Sequence, residues 1–132
     1  MIPDEQLLIV DDEQHLLSAL RRLLRRRFRA SYALGGPAAL SIMRESGPYA
    51  VILTDMRMPQ MDGLAFIAGA RRVSPTSVYL MLTGNCDEQT ELDARRLADV
   101  HRVLRKPCEL ELLEAAILDA LAVYRTNTTK VA

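Results

Sequence analysis

Three unbroken apolar runs in this chain stop abruptly at polar residues, and that pattern constrains the fold more than any other. Leu7-Leu8-Ile9-Val10 ends at Asp11-Asp12-Glu13, Ala50-Val51-Ile52-Leu53-Thr54 ends at Asp55, and Val78-Tyr79-Leu80-Met81-Leu82 ends at Thr83-Gly84. Continuous rather than alternating hydrophobicity predicts strands covered on both faces, as in a parallel sheet. Between the runs the period changes. Leu16, Leu17, Leu20, Leu23 and Leu24 recur at helical spacing across residues 13–27, with Arg21, Arg22, Arg25 and Arg26 on the other side. Asp12 is expected to cap that helix, and Glu13 to sit in its first turn.

The remaining segments complete the alternation. A strand over 30–34 leads through Gly35-Gly36-Pro37 to a helix over 38–45, which Gly47-Pro48 breaks. A loop over 56–63 leads to a helix over 64–72, which Ser74-Pro75 ends. Residues 87–97 read as helix, 102–104 as the last strand, and 109–124 as a strongly amphipathic helix carrying Leu112, Leu113, Ala116, Ile117, Ala120 and Leu121. Five strands alternating with five helices predict one α/β domain over 1–125, its sheet covered on both faces. Residues 126–132 have nothing to bury and are expected to form a flexible tail.

Composition excludes several classes of function. The 17 basic and 17 acidic residues cancel, so no bulk field draws the chain to nucleic acid or an anionic membrane. The arginines from Arg21 to Arg27 therefore read as a solvated helix face. No run approaches the roughly 20 apolar residues of a membrane span, and the N-terminus has no basic segment of a signal peptide. Cys86 and Cys108 make no disulfide framework and read as ordinary free thiols. A cytoplasmic protein is expected.

The polar residues at the strand ends carry the chemistry. In open parallel sheets ligands bind beyond the carboxyl ends of the strands, so Asp11, Asp12, Asp55, Thr83 and Lys106 should converge. Three carboxylates together repel and need a cation. Oxygen-only ligands favour a hard ion, and a few carboxylates with waters suit Mg²⁺. A lysine and a hydroxyl beside that ion suit a phosphoryl group, and a carboxylate can itself be the nucleophile that receives one. His15 and His101 have no second histidine at ligand spacing and are not expected to bind metal.

Asp11-Asp12, Thr54-Asp55-Met56-Arg57-Met58-Pro59-Gln60-Met61-Asp62-Gly63, Leu82-Thr83-Gly84 and Lys106-Pro107, in that order, resemble the receiver domain of response regulators over about residues 7–124. The resemblance implies a flavodoxin-like (βα)₅ fold with sheet order 2-1-3-4-5. It implies that Asp55 is the phosphoacceptor and that Asp12 ligates Mg²⁺, with Asp11 acting largely through a water. The backbone carbonyl of Arg57 would be a further metal ligand. Lys106 would pair with the phosphoryl oxygens, Thr83 would hydrogen-bond one of them, and Pro107 would follow a cis peptide bond. The implied partners are a sensor histidine kinase or phosphotransfer protein, an effector, and a second copy docked through the fourth helix, fifth strand and fifth helix. No enzyme turning over an external substrate is implied. Asp55-Met56-Arg57-Met58-Pro59 and Lys106-Pro107-Cys108, with Tyr124-Arg125, are also similar to receivers found ahead of HD-type phosphodiesterase domains. One departure stands out. Where many receivers carry a switching Tyr or Phe, this chain has Val103.

Three other functions fit less well. A haloacid-dehalogenase-type phosphohydrolase needs a second acid two residues after its nucleophile, where Arg57 stands. An FMN module needs a phosphate-cradling loop after strand one, where Asp11-Asp12-Glu13 would repel phosphate. A pseudo-receiver scaffold would have no need of the acids, Thr83 and Lys106 that are all present.

Overall fold

The apolar runs become the strands of one parallel sheet in a computed structural model describing residues 2–84 and 87–131. Cys86, read above as a free thiol, lies outside the described residues. The elements are β1 (Gln6–Asp11), α1 (Gln14–Leu24), β2 (Arg29–Leu34), α2 (Gly36–Glu45), β3 (Val51–Thr54), α3 (Gly63–Val73), β4 (Val78–Thr83), α4 (Glu88–Leu97), β5 (Arg102–Arg105) and α5 (Leu110–Val131). The order is β2-β1-β3-β4-β5, the flavodoxin-like arrangement expected.

Continuous hydrophobicity is used on both faces of this sheet. Leu7 and Ile9 of β1, Leu53 of β3 and Leu80 and Leu82 of β4 pack against Leu17, Leu20 and Leu24 of α1 and Leu113, Ile117 and Leu121 of α5. Leu8 and Val10, Ile52, and Tyr79 and Met81 point the other way, onto Ala39, Leu40 and Met43 of α2, Phe66 and Ile67 of α3, and Ala94 of α4. Each fully buried Leu, Ile or Phe stabilises by about 1.5–3 kcal/mol, so the two cores hold the strands, and with them the strand ends, rigidly.

Local geometry corrects several expectations. The helix over 13–27 is shorter, and its N-cap is Glu13, which makes no side-chain capping bond. Asp12 therefore lies before the cap. Asp11 Oδ1, not Asp12, takes the local amide, accepting from Glu13 N–H at 3.0 Å. Gly35 holds φ +92 at the N-cap of α2, a left-handed conformation that favours glycine. Lys106-Pro107 is cis as expected, and Gly47-Pro48 is cis too. α5 does not end near Tyr124 but runs to Val131. Beyond the apolar stripe the Thr126, Thr128 and Thr129 hydroxyls donate to carbonyls of the preceding turn, at 2.8–3.1 Å from Ala122, Tyr124 and Arg125 oxygens, and so satisfy themselves within the helix.

The base of the sheet is tied to α5 by a bidentate ion pair. Arg125 Nε and Nη2 donate to the two carboxylate oxygens of Glu5, at 2.5 and 3.0 Å. Those bonds hold the Glu5 carboxyl at about 2, below its ordinary 4.5. A folded value below the unfolded one means the contribution is complete above about pH 5 and fades as pH falls toward 2. The pair is partly solvated, so it contributes about 1 kcal/mol rather than the full linkage value. Glu5→Gln should lower the unfolding free energy from urea denaturation by about 1 kcal/mol at pH 7 and by clearly less at pH 2.5. An equal difference at both pH values would show that packing, not charge, is lost.

Candidate functional site

Strand register builds the site. Val10 lies opposite Thr54, Thr54 opposite Met81, and Thr83 opposite Arg105. Asp11, Asp55, Thr83 and Lys106 therefore emerge together at the carboxyl edge. Asp55 N–H still donates to Val10 O at 3.1 Å, so its backbone is held by the ladder it has just left. The next turn is tight. Gly63 N–H donates to Met56 O at 2.7 Å, and a Cβ on Gly63 would stand 2.5 Å from Asp55 O and 3.0 Å from Met56 Cα. Asp62 then caps α3 by accepting Ala65 N–H at 2.8 Å.

Asp11, Asp12 and Asp55 each offer a carboxylate oxygen within 4.8 Å of the others. Asp11 and Asp55 are buried, at 3% and 7% exposure, while Asp12 is exposed at the mouth. Lys106 reaches into this group. Its Nζ donates to Asp11 Oδ2 at 2.9 Å and to Asp55 Oδ2 at 3.1 Å. The other Asp55 oxygen accepts Met56 N–H at 2.7 Å. Thr83 is buried, and its carbonyl accepts Lys106 N–H at 3.0 Å, fixing the residue from which the ammonium projects.

Electrostatics follow from burial. Desolvation pushes the Asp11 carboxyl above its ordinary range, and the bonds from Lys106 and Glu13 offset this only in part. Burial draws the Lys106 ammonium down, but its hydrogen bonds to Asp11 and Asp55 outweigh that, and the net shift is upward. The lysine thus stays charged at neutral pH, and burial makes a charge on Asp11 costly.

The donor set suits a hard divalent ion. Two oxygens on one Mg²⁺ stand roughly 2.9–4.2 Å apart, given Mg–O distances of about 2.1 Å in octahedral geometry. A group already within 4.8 Å meets that range with small shifts, or with one carboxylate acting through water. Arg57 sits two residues past Asp55 in the exposed part of the loop, and its charge is felt by Asp87 at the N-cap of α4.

Other residues singled out in the sequence lie elsewhere. His15 is exposed on α1. His101 Nε2 lies 2.7 Å from Asp119 Oδ2. Arg21, Arg22, Arg25, Arg26 and Arg27 are all exposed, with Arg21 stacked 4.6 Å over the Tyr32 ring and Arg27 paired with Glu114 at 2.9 Å. Cys108 is half-buried, and burial pushes its thiol up, away from reactivity. Val103 is half-buried against the core on the α3 and α4 side. Sequence reading missed the direct pairing of Lys106 with Asp11 and the close approach at Gly63. The glycine directly after the capping Asp62 was the available signal for the latter.

The response regulator receiver domain family matches residues 7–118, and the chain belongs to it. Among curated relatives it is 28% identical over 119 residues to the hydrogenase transcriptional regulatory protein HoxA of Bradyrhizobium diazoefficiens, covering 90% of this chain and 24% of that protein. It is 34% identical over 101 residues to a response regulator receiver protein of Anaeromyxobacter, covering 76% and 42%. The chain spans about a quarter of the length of HoxA and of the regulatory protein ZraR of Escherichia coli, where the match covers 26%. Among solved structures, a chain described as adenylate cyclase from Rhodopirellula baltica superposes with a TM-score of 0.91 at 43% identity, covering 97% of this chain and 95% of that one. The signal receiver domain of an HD domain-containing protein from Pseudomonas fluorescens gives 0.87 at 25%, covering 94% and 99%. Residues 7–118 thus form a receiver domain of the two-component type, a class of generally non-enzymatic signalling domains. No described helix is long and apolar enough to cross a membrane.

Two outcomes test this geometry. Gly63→Ala must push the loop off Asp55 O and should cost about 1–3 kcal/mol in urea denaturation; a neutral result would show that the loop yields freely. Asp12→Ala relieves repulsion at an exposed acid, so in EDTA it should stabilise by roughly 0.5–1 kcal/mol. The same variant should lose most of the stabilisation that millimolar Mg²⁺ gives the parent. Undiminished Mg²⁺ stabilisation would remove Asp12 from the metal group.

Proposed function

We propose that this domain accepts a phosphoryl group on the carboxylate of Asp55 from a phosphohistidine of a partner kinase or phosphotransfer protein. The observation that carries the reading is the Lys106 ammonium held between Asp11 and Asp55 at the edge where three strands end. The transfer breaks the P–N bond of the donor and forms a P–O bond to an Asp55 oxygen, and the imidazole leaves with a proton from solvent. Lys106 Nζ and Met56 N–H each donate to one Asp55 oxygen and so orient the carboxylate. Lys106 moves its hydrogen bond from the carboxylate to the incoming phosphoryl oxygens, trading one anion for another. Thr83 hydrogen-bonds a further phosphoryl oxygen. Mg²⁺, held by Asp11, Asp12, Asp55 and the carbonyl of Arg57, supplies neutralisation of charge on the transferring group. Attack of water on phosphorus later breaks the P–O bond and resets the domain.

The output lies in segments or proteins beyond the fold described. HoxA and ZraR are transcriptional regulators, and the solved relatives are described as a cyclase and an HD domain-containing protein. With outputs this varied among similar receivers, the shared element is the switch. Val103 is β-branched and stiff at χ1, and cannot swing between exposed and buried positions as a ring can. The response is therefore carried by backbone shifts after Thr83 and in α4. A face made of α4, β5 and α5 receives it, and a second copy can dock there.

Incubation with acetyl phosphate and Mg²⁺ should add one phosphoryl group, measured by intact-protein mass spectrometry. Asp55→Asn should abolish the adduct, and Lys106→Met should fold yet slow its formation at least tenfold. An adduct that persists in Asp55→Asn, or maps to His15 or His101, sinks the assignment and leaves a scaffold that is never phosphorylated.

A further inference from the structure

α4 is held very differently at its two ends. Of its ten residues only Ala94 is buried, and Glu88, Gln89, Thr90 and Glu91 of the first turn are exposed or half-buried. That end is capped from within: the Asp87 carboxylate accepts Thr90 N–H at 2.7 Å.

At the other end the chain turns through Asp99 in the left-handed region (φ 50), and Val100 N–H donates back to Ala94 O at 3.0 Å. Ala98 and Val100 are buried there. The last carbonyls of a helix have no partner within it. Here a side chain from a different helix takes the C-cap carbonyl and the one after it. Arg71 Nη2 of α3 donates to Ala98 O at 2.6 Å and to Asp99 O at 2.9 Å. Its positive charge also suits the negative end of the α4 dipole.

Arg71 is itself immobilised. Its guanidinium lies 4.6 Å over the ring of Tyr79, a fully buried residue of β4, whose hydroxyl donates to Ser74 O just past α3 at 3.3 Å. The cation is thus fixed to the core sheet and to α3, and cannot follow α4 if that helix moves. Among the described residues, the buried positions of α4 and of the turn after it are Ala94, Ala98 and Val100, whereas its first turn meets the Arg57 loop through the charge at the exposed Asp87.

We propose that Arg71 is the anchor of a hinge: α4 pivots about its C-terminal end, clamped by Arg71, and its first turn is the part that swings. The trigger rests on phosphorylation at Asp55, since the first turn follows Thr83 and Gly84. The hinge itself is a property of the resting fold. A helix clamped at one end and loose at the other converts a small shift at the site into a larger displacement of its first turn.

Amide hydrogen exchange on the whole chain, read by NMR with and without acetyl phosphate and Mg²⁺, tests this. Intact mass scores the adduct in each sample. In the resting protein, protection should climb along α4 from residue 91 to residue 100. Phosphorylation should change exchange in the first half of α4 and leave residues 97–100 as they were. Arg71→Gln should speed exchange of amides 95–100 roughly tenfold, with β1 and β3 unchanged, and should let the phosphorylation response spread along the helix. Arg71→Lys keeps the charge without the planar fork and should fall between. Even protection along α4 in the resting parent would overturn the hinge. So would unchanged rates at 95–100 in Arg71→Gln, or an equal rise in β1 and β3, which would make Arg71 a general support. If no adduct forms, the phosphorylation reading fails, and the resting rates still decide the hinge.

Discussion

The rest of the molecule is arranged around a repulsion. Asp11 and Asp55 are buried side by side at the ends of neighbouring strands, with Asp12 at their mouth, and no apolar core would place them there on its own account. What makes the arrangement tolerable is a cation from 51 and 95 residues further along the chain, Lys106. The sheet order makes that reach necessary. β5 lies two strands from β3, with β4 between, so the lysine must cross about 10 Å, two inter-strand spacings. It passes beside Gly84, where an added Cβ would make ordinary contact at 4.0 Å with the lysine's Cβ and Cδ.

Such a site costs stability that the two cores supply. Burying charges in imperfect pairing is weak support for a fold, and the raised Asp11 carboxyl carries that cost visibly. The strands beneath are correspondingly saturated with apolar contacts on both faces, every residue of β3 and β4 being buried. The sheet thereby holds two carboxylates and an ammonium within hydrogen-bonding distance of one another.

Much of this was legible in the chain because the signals were of long range in meaning but local in form. An apolar run that ends on an acid marks a strand and its chemically useful end together, and this located Asp11, Asp55, Thr83 and Lys106 before any contact was known. What escaped was decided by single backbone angles or by distant partners. Asp12 looked like the helix cap, yet α1 begins at Gln14 with Glu13 at its N-cap, and Glu13 makes no side-chain capping bond. The end of α5 was invisible to hydrophobic periodicity, since residues 126–129 carry threonines bonded back to the preceding turn and no apolar stripe. Arg71 read as one more surface arginine because its partners are carbonyls, which have no signature in sequence.

Val103 joins these strands of reasoning. An aromatic at that position can report a change at Thr83 by moving its own surface between water and core. Valine packs half-buried beside Met81, its register partner on β4, and has little surface to move. A signal leaving this site has to be written in backbone position, and the cheapest backbone to move is the one with least burial behind it. α1, α2 and α3 each bury three or four residues, whereas α4 buries one. The helix with the fewest buried residues thus follows β4, the strand that ends at Thr83. Loss of the ring and looseness of the helix are complementary: where a side chain cannot carry the change, the element that would have received it must be free enough to carry it instead.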